Sequence, residues 1–388
     1  MRRVYLDHSA TTPLAPEVLD AMNGVFRSTF GNASSVHSFG REAKTLLEES
    51  RETIASFLGA RHDELYFTSG GTESNNHAIR GVAAHAAGTG KTHVITCAVE
   101  HHAVLHPAEA LGALGFNVEV IPVDEAGLVD PDDVRNAMTP HTCLVSIMHA
   151  NNEVGTVEPI QEIGRRVREK SILVHTDAVQ SVGKIPVDVR ELNVDLLSVS
   201  AHKFYGPKGI GALYIRKGTK LDSLIKGGAQ ESNRRAGTQN VPLAVGFAKA
   251  IELCALRMTD DAIRIAELKK LLRAKLAATD ADIRFNGHPT RSLPNILSAS
   301  FDSSVRVLDG EALIMGMDLR GVAVTSGSAC TSGSLEPSHV LRAMGRDEKT
   351  ARATIRFSLG RSTTEEEIGI AVDALKDVVA TMKNVTVS

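Results

Sequence analysis

Between residues 65 and 215 the chain alternates short apolar runs with amphipathic stripes, and few folds accommodate that pattern. Runs at 65–68, 94–97, 118–123, 144–148, 172–175, 195–200 and 211–215 have the length and composition of strands. Helical stripes at 74–87, 103–114 and 160–169 separate several of them. Strands interleaved with helices predict an α/β fold, a seven-stranded, mostly parallel sheet covered on both faces. Two more helical stripes, at 16–26 and 41–58, precede the sheet, the second closed by Gly59.

The pattern changes after Gly237. Helices are predicted at 240–257, 262–278 and 311–317, and strands at 296–301 and 354–358. A last helix opens at Thr363 and Thr364, with Glu365, Glu366 and Glu367 in its first turn. A chain of 388 residues exceeds one compact core. The expected division is a large domain over 15–257 and a smaller α+β domain made of 1–14 and 258–388.

A formal net charge of −3 gives no general reason to bind nucleic acid or an anionic membrane. Asp7 and His8 interrupt the N-terminus before any apolar stretch could act as a signal, and no apolar run reaches about 18 residues. A cytoplasmic protein is expected. The four cysteines, Cys97, Cys143, Cys254 and Cys330, lack ligand spacing, which argues against a disulfide framework or structural zinc. The first three lie in apolar surroundings and read as core.

Cys330 is different. It sits in Thr325-Ser326-Gly327-Ser328-Ala329-Cys330-Thr331-Ser332-Gly333-Ser334, which has nothing to build a core from. The segment 325–334 reads as an exposed, mobile loop. Its thiol is either a nucleophile on a flexible arm or an incidental cysteine in a linker.

Lys203 ends the apolar run 195–200 in Ser200-Ala201-His202-Lys203, followed by glycines and a proline. That is where open α/β sheets place ligand chemistry, and a strand-end lysine is a candidate for bonding a carbonyl. Ser69-Gly70-Gly71-Thr72-Glu73 follows a strand and opens a helix. Alone it reads as a plain turn more readily than as an anion cradle. Ser200, His202 and the distant Thr238 would be a second anion set.

Asp177 ends another apolar run, a costly place for a carboxylate unless a cation or a helix start faces it. His102 and His106 lie one helical turn apart, but no matching third ligand cluster accompanies them for a metal. The neighbouring His101 could instead stack on a flat cofactor ring. Arg356, in the middle of a strand, suits either a substrate carboxylate or a structural ion pair.

Taken in order, Tyr5-Leu6-Asp7-His8-Ser9-Ala10-Thr11-Thr12-Pro13, Gly71-Thr72-Glu73-Ser74-Asn75-Asn76, Glu100-His101, Asn151-Asn152-Glu153-Val154-Gly155, Asp177-Ala178-Val179-Gln180, Ser200-Ala201-His202-Lys203, Arg235-Ala236-Gly237-Thr238, the cysteine loop and Arg356-Phe357-Ser358-Leu359-Gly360-Arg361 resemble the cysteine desulfurases of the NifS/IscS type. These are class-V aminotransferase-family enzymes with the aspartate aminotransferase-like fold (fold type I). The resemblance runs almost end to end. It implies pyridoxal 5'-phosphate as cofactor, bonded to Lys203, with Asp177 on its ring nitrogen and Gln180 on its ring oxygen. His101 would lie on the ring face and help move protons. Gly71, Thr72, Ser200, His202 and, from a neighbouring subunit, Thr238 would hold the phosphate. Asn152 and Arg356 would orient L-cysteine, and Cys330 would accept its sulfur as a persulfide, leaving L-alanine.

The resemblance further implies a homodimer and a sulfur acceptor such as an iron–sulfur scaffold protein of the NifU/IscU kind or a tRNA-thiolating enzyme. No resident metal is implied, Cys330 serving at most as a transient iron–sulfur ligand. The extended cysteine segment is similar to the long-loop group; the short Arg-x-Gly-His-His-type segment of the selenocysteine-lyase-like group is absent. Ala201 stands where glycine is common, and IscS-type members often carry a further tail beyond the position of Ser388, which leaves the delivery partner open.

Overall fold

The computed structural model describes residues 3–280, 282–326 and 337–385. Among the described residues twelve strands are formed. They are β1 (Val4–Tyr5), β2 (Leu65–Thr68), β3 (His93–Cys97), β4 (Asn117–Ile121), β5 (Thr142–Ser146), β6 (Leu173–Asp177), β7 (Leu196–Ser200), β8 (Gly211–Ile215), β9 (Ile283–Asn286), β10 (Ile296–Phe301), β11 (Val322–Ala323) and β12 (Thr354–Ser358). The large sheet has the order β2-β8-β7-β6-β5-β3-β4, seven strands as the sequence predicts. Only β8 runs against its neighbours. The short return from β7, through Gly209 at φ +83°, pairs Ser200 with Gly211 in antiparallel register.

The five residues of β7 are all buried, as are those of β3, β5 and β8. Strands covered on both faces need no polar alternation, which is why these runs read as continuously apolar. The strand ends at Thr68, Cys97, Ser146, Asp177 and Ser200 open onto one edge of the sheet, the C-terminal one.

A second sheet, β12-β10-β9, is antiparallel, and β1 pairs with β11 in parallel. Around it a separate apolar cluster forms from Val4 and Leu6, from Ile265 to Phe301, and from the final helix Glu365–Val385. Val340, Leu341 and Met344 instead pack into the cluster under the large sheet.

The two helices expected at 240–257 and 262–278 are one helix of 39 residues, Val241–Thr279. No glycine or proline interrupts Arg257 to Ala262, so the polar stretch there is an exposed face and not a break. The helix starts on Asn240, whose side chain accepts from Leu243 N at 3.1 Å. Its first half packs into the large cluster through Phe247 and Ile251, and its second half into the other through Leu268 and Leu272.

Candidate functional site

At the C-terminal edge of the large sheet lies a cleft of about 290 Å³. Lys203 enters it from a short turn, Ala201–Lys203, directly after β7. Its Nζ donates to the carbonyls of Ser9 at 2.6 Å and Ala10 at 2.9 Å, so the N-terminal segment is folded over the amine. Thr12 fastens that segment: its N and Oγ1 both donate to His202 O, and its Oγ1 accepts from Tyr205 N at 2.7 Å. Tyr205 adopts a left-handed backbone at φ 69°, a strained conformation that costs about 1 kcal/mol or more and persists only where surroundings enforce it. The turn that presents Lys203 is therefore held by contacts from almost two hundred residues away in sequence.

Burial is the main cause that brings the Lys203 amine down to about 8, with the Arg356 charge adding to it and Asp177 and Asp7 opposing. Asp177, at the end of β6, is buried. Its Oδ2 accepts from Asn75 at 2.6 Å and its Oδ1 from Val179 N at 2.9 Å. His101 caps the helix His102–Gly112, with Nδ1 accepting from Ala103 N at 3.0 Å. That bond assigns the ring proton of neutral His101 to Nε2. Desolvation holds its pKa below the usual histidine value.

Gly71 begins the 16-residue helix Gly71–Ala86, whose first N–H groups have no partner within the helix. A Cβ at Gly71 would stand 2.6 Å from Val179 Cγ2, so only glycine lets this helix start come so close to the end of β6. Thr72, Ser200 and His202 line the same end of the cleft. His202 Nδ1 meets Thr11 Oγ1 at 3.1 Å, and burial lowers its pKa to about 4, keeping it neutral.

On the opposite wall Arg356 donates from Nη1 to Asn152 O at 2.9 Å and from Nη2 to Asp7 at 2.8 Å. Its Nε is buried without a partner. The cleft thus gathers Gly71, Thr72, His101, Asn152, Asp177, Gln180, Ser200, His202, Lys203 and Arg356, all expected from sequence. Gln180 donates to Ser9 O at 3.0 Å. Thr238 lies elsewhere on its own chain, in a separate depression shared with Ser69 and Arg235. Cys330, and positions 327–334 of the segment around it, lie outside the described residues.

Several contributors went unassigned from sequence. Asp7 orients Arg356, Asn75 orients Asp177, and the Ser9 carbonyl joins Gln180 to Lys203. Glu153 also lines the cleft; burial raises its pKa, and Ser338 donates to it at 2.5 Å. Asp7, Ser9, Asn75 and Glu153 all fall inside the recognised segments, the only signal in the sequence that points to them. Among the described residues no group of three His, Cys, Asp or Glu could hold a metal.

Pyridoxal 5'-phosphate has an aldehyde, a basic ring nitrogen, a flat ring and a phosphate, and the cleft can be tested against each. An amine titrating near 8 suits the aldehyde, and a buried carboxylate at a strand end suits the ring nitrogen. A glycine-opened helix start beside Ser200 suits the phosphate. The residues fit the group.

The family model for class-V aminotransferases matches residues 4–370. A cysteine desulfurase IscS of Dictyoglomus turgidum is 52% identical over 385 residues, covering 99% of this chain and 96% of the relative. Among solved structures, a NifS-like protein superposes with a TM-score of 0.91 at 39% identity, covering 98% of this chain and all of that one. A structure of SspA in complex with cysteine superposes at 0.81, with 37% identity and coverage of 92% and 98%.

Proposed function

The chain belongs to the aminotransferase class-V family and is a pyridoxal-phosphate-dependent cysteine desulfurase, and we propose that Lys203, His101, Arg356 and Cys330 carry its reaction. The observation that most supports this division of roles is the convergence of Lys203, Asp177, His101 and Arg356 on one cleft. When bound, the cofactor supplies an electron sink for the substrate carbon that loses its proton. Asp177 would hold the ring nitrogen end, Gln180 the ring oxygen, and Gly71, Thr72, Ser200 and His202 the phosphate. Asn152 and Arg356 orient the substrate, the guanidinium taking its carboxylate. The Lys203 amine takes the α-proton, and His101, with its N–H at Nε2, would lie on the ring face and help move protons.

Cys330, as thiolate, attacks the sulfur of L-cysteine. An S–S bond forms as the substrate's Cβ–S bond breaks, and protonation of the carbon skeleton yields L-alanine. The persulfide passes to an acceptor of the iron–sulfur scaffold or tRNA-thiolating kind. A homodimer accounts for Thr238, which in its own chain lies away from the cleft and would reach the phosphate of a neighbouring one. The second apolar cluster favours the division of the chain into 15–257 and 1–14 with 258–388, bridged by the long helix. No helix among the described residues is long and apolar enough to cross a membrane, and a cytoplasmic location is the reading we favour.

The direct test is to load the protein with cofactor and supply L-cysteine with a reductant. L-Alanine and sulfide should appear in equal amounts, and the absence of both sinks the assignment. A second measurement concerns Arg356. Truncating one partner of a buried, charge-assisted contact costs about 2–4 kcal/mol. Arg356→Ala should therefore raise KM for L-cysteine by about 10²-fold. Steady-state kinetics should show KM moving further than kcat; an unchanged KM would remove Arg356 from carboxylate binding.

A further inference from the structure

Behind Lys203, on the side away from the cleft, is a second cavity of about 30 Å³. Lys203 is the only described residue that lines both spaces. The rear cavity is small but polar. Asn295 is 2% exposed, and neither atom of its amide has a hydrogen-bond partner. His8 is 1% exposed, and neither ring nitrogen meets a partner at hydrogen-bonding geometry, the Tyr5 backbone offering only a weak polar contact. Four unpartnered polar atoms on two buried residues that line one cavity are rare in proteins unless water satisfies them, and a space this size accommodates one or two molecules.

Lys184 lines the same cavity. Its Nζ donates to Gln180 O at 2.8 Å and meets Gln180 Oε1 at 3.4 Å. Gln180 in turn donates to Ser9 O, the carbonyl that also holds Lys203. The two amines thus share one polar network, and burial brings Lys184 down to about 7, close to Lys203. The groups facing Lys184 are Lys203, Cys254, His8 and His202, with the Arg361–Asp261 pair also at the cavity.

We propose that the rear cavity is a water site, held by Asn295 and His8, through which Lys203 exchanges protons with Lys184 without opening the cleft. The step moves a proton from the charged Lys203 amine to water while the water gives one to neutral Lys184; only N–H and O–H bonds change, and no electrons leave. Lys184 and Asn295 are then positioning residues. The water site is independent of the assigned reaction, whereas the exchange role rests on Lys203 being its working amine.

Diffraction from the holoenzyme at atomic resolution should show water within hydrogen-bond distance of Asn295 and His8; a dry cavity overturns the proposal. Asn295→Leu separates the cases by sign. In a dry cavity it removes unpaired polar atoms and raises the melting temperature; in a wet one it strands the water and lowers it. The exchange role is read from α-deuterated L-cysteine in ordinary water. Wild type should lose nearly all the label to solvent, and Lys184→Met and Asn295→Leu should each retain several-fold more deuterium in the L-alanine formed. Retention that stays at the wild-type level in both variants overturns the exchange role. If wild type forms no L-alanine at all, the assigned reaction has failed, and the diffraction result stands apart from it.

Discussion

Sulfide release from L-cysteine falls by at least about 10⁴-fold when Cys330 is replaced by serine, a loss typical of removing a covalent nucleophile. The visible absorption of the bound cofactor remains, because nothing that holds it has changed. A serine hydroxyl is far less acidic than a thiol and cannot form the S–S bond that carries sulfur away. The other three thiols cannot substitute. Cys97, Cys143 and Cys254 are buried, and burial pushes all three thiols up, Cys143 to about 11 and Cys97 well above its usual value. None of them lines the cleft. Replacing any one of them by alanine should leave sulfur transfer within a few-fold of wild type once folding is matched. An aminotransferase on this fold would have no use for Cys330 and would turn over its amino acid unchanged in the serine variant. Sulfide release by Cys330→Ser at the wild-type rate would therefore exclude the thiol as acceptor.

What sequence made legible here follows the range of the interactions involved. The large sheet's strands announce themselves because burial on both faces demands uninterrupted apolar residues, as in β7. The charges at the strand ends are legible for the same reason: Asp177 and Lys203 come where apolar runs stop, a place where a charge is costly unless a partner faces it. The contacts that orient these groups are another matter. Asp7 meets Arg356 across 349 positions, and Asn75 meets Asp177 across 102, separations that no local pattern encodes. Short elements suffer likewise: β1 and β11 are two residues each and exist only because Val4 and Leu6 are drawn into the second apolar cluster. The break expected inside Val241–Thr279 fails for a simpler reason. Polar residues on a helix that bridges two cores are its solvent face, and periodicity in one window does not distinguish them from a loop.

Lys203→Ala should abolish the cofactor's visible band and lower desulfurase turnover by at least about 10⁴-fold. Lys203→Arg should do the same, since a guanidinium keeps the charge but stays protonated and cannot attack an aldehyde. The pH dependence of loading then tests why this lysine is suited to the task. Only the neutral amine attacks. With its pKa brought down to about 8, chiefly by burial, roughly a quarter of Lys203 is neutral at pH ~7.5; at an ordinary lysine value the fraction would be about one in a thousand. Cofactor capture by the apoprotein, followed by absorbance, should therefore rise with pH through a midpoint near 8 and level off about one pH unit above it. The charges around the amine set the sign of each shift. Arg356→Ala removes a cation that favours the neutral amine, so the midpoint should move up. Asp7→Asn or Asp177→Asn removes an anion that favours the charged form, so the midpoint should move down. Movement in the opposite directions, or a rate still climbing towards pH ~10.4, would place the reactive amine elsewhere than in this cleft.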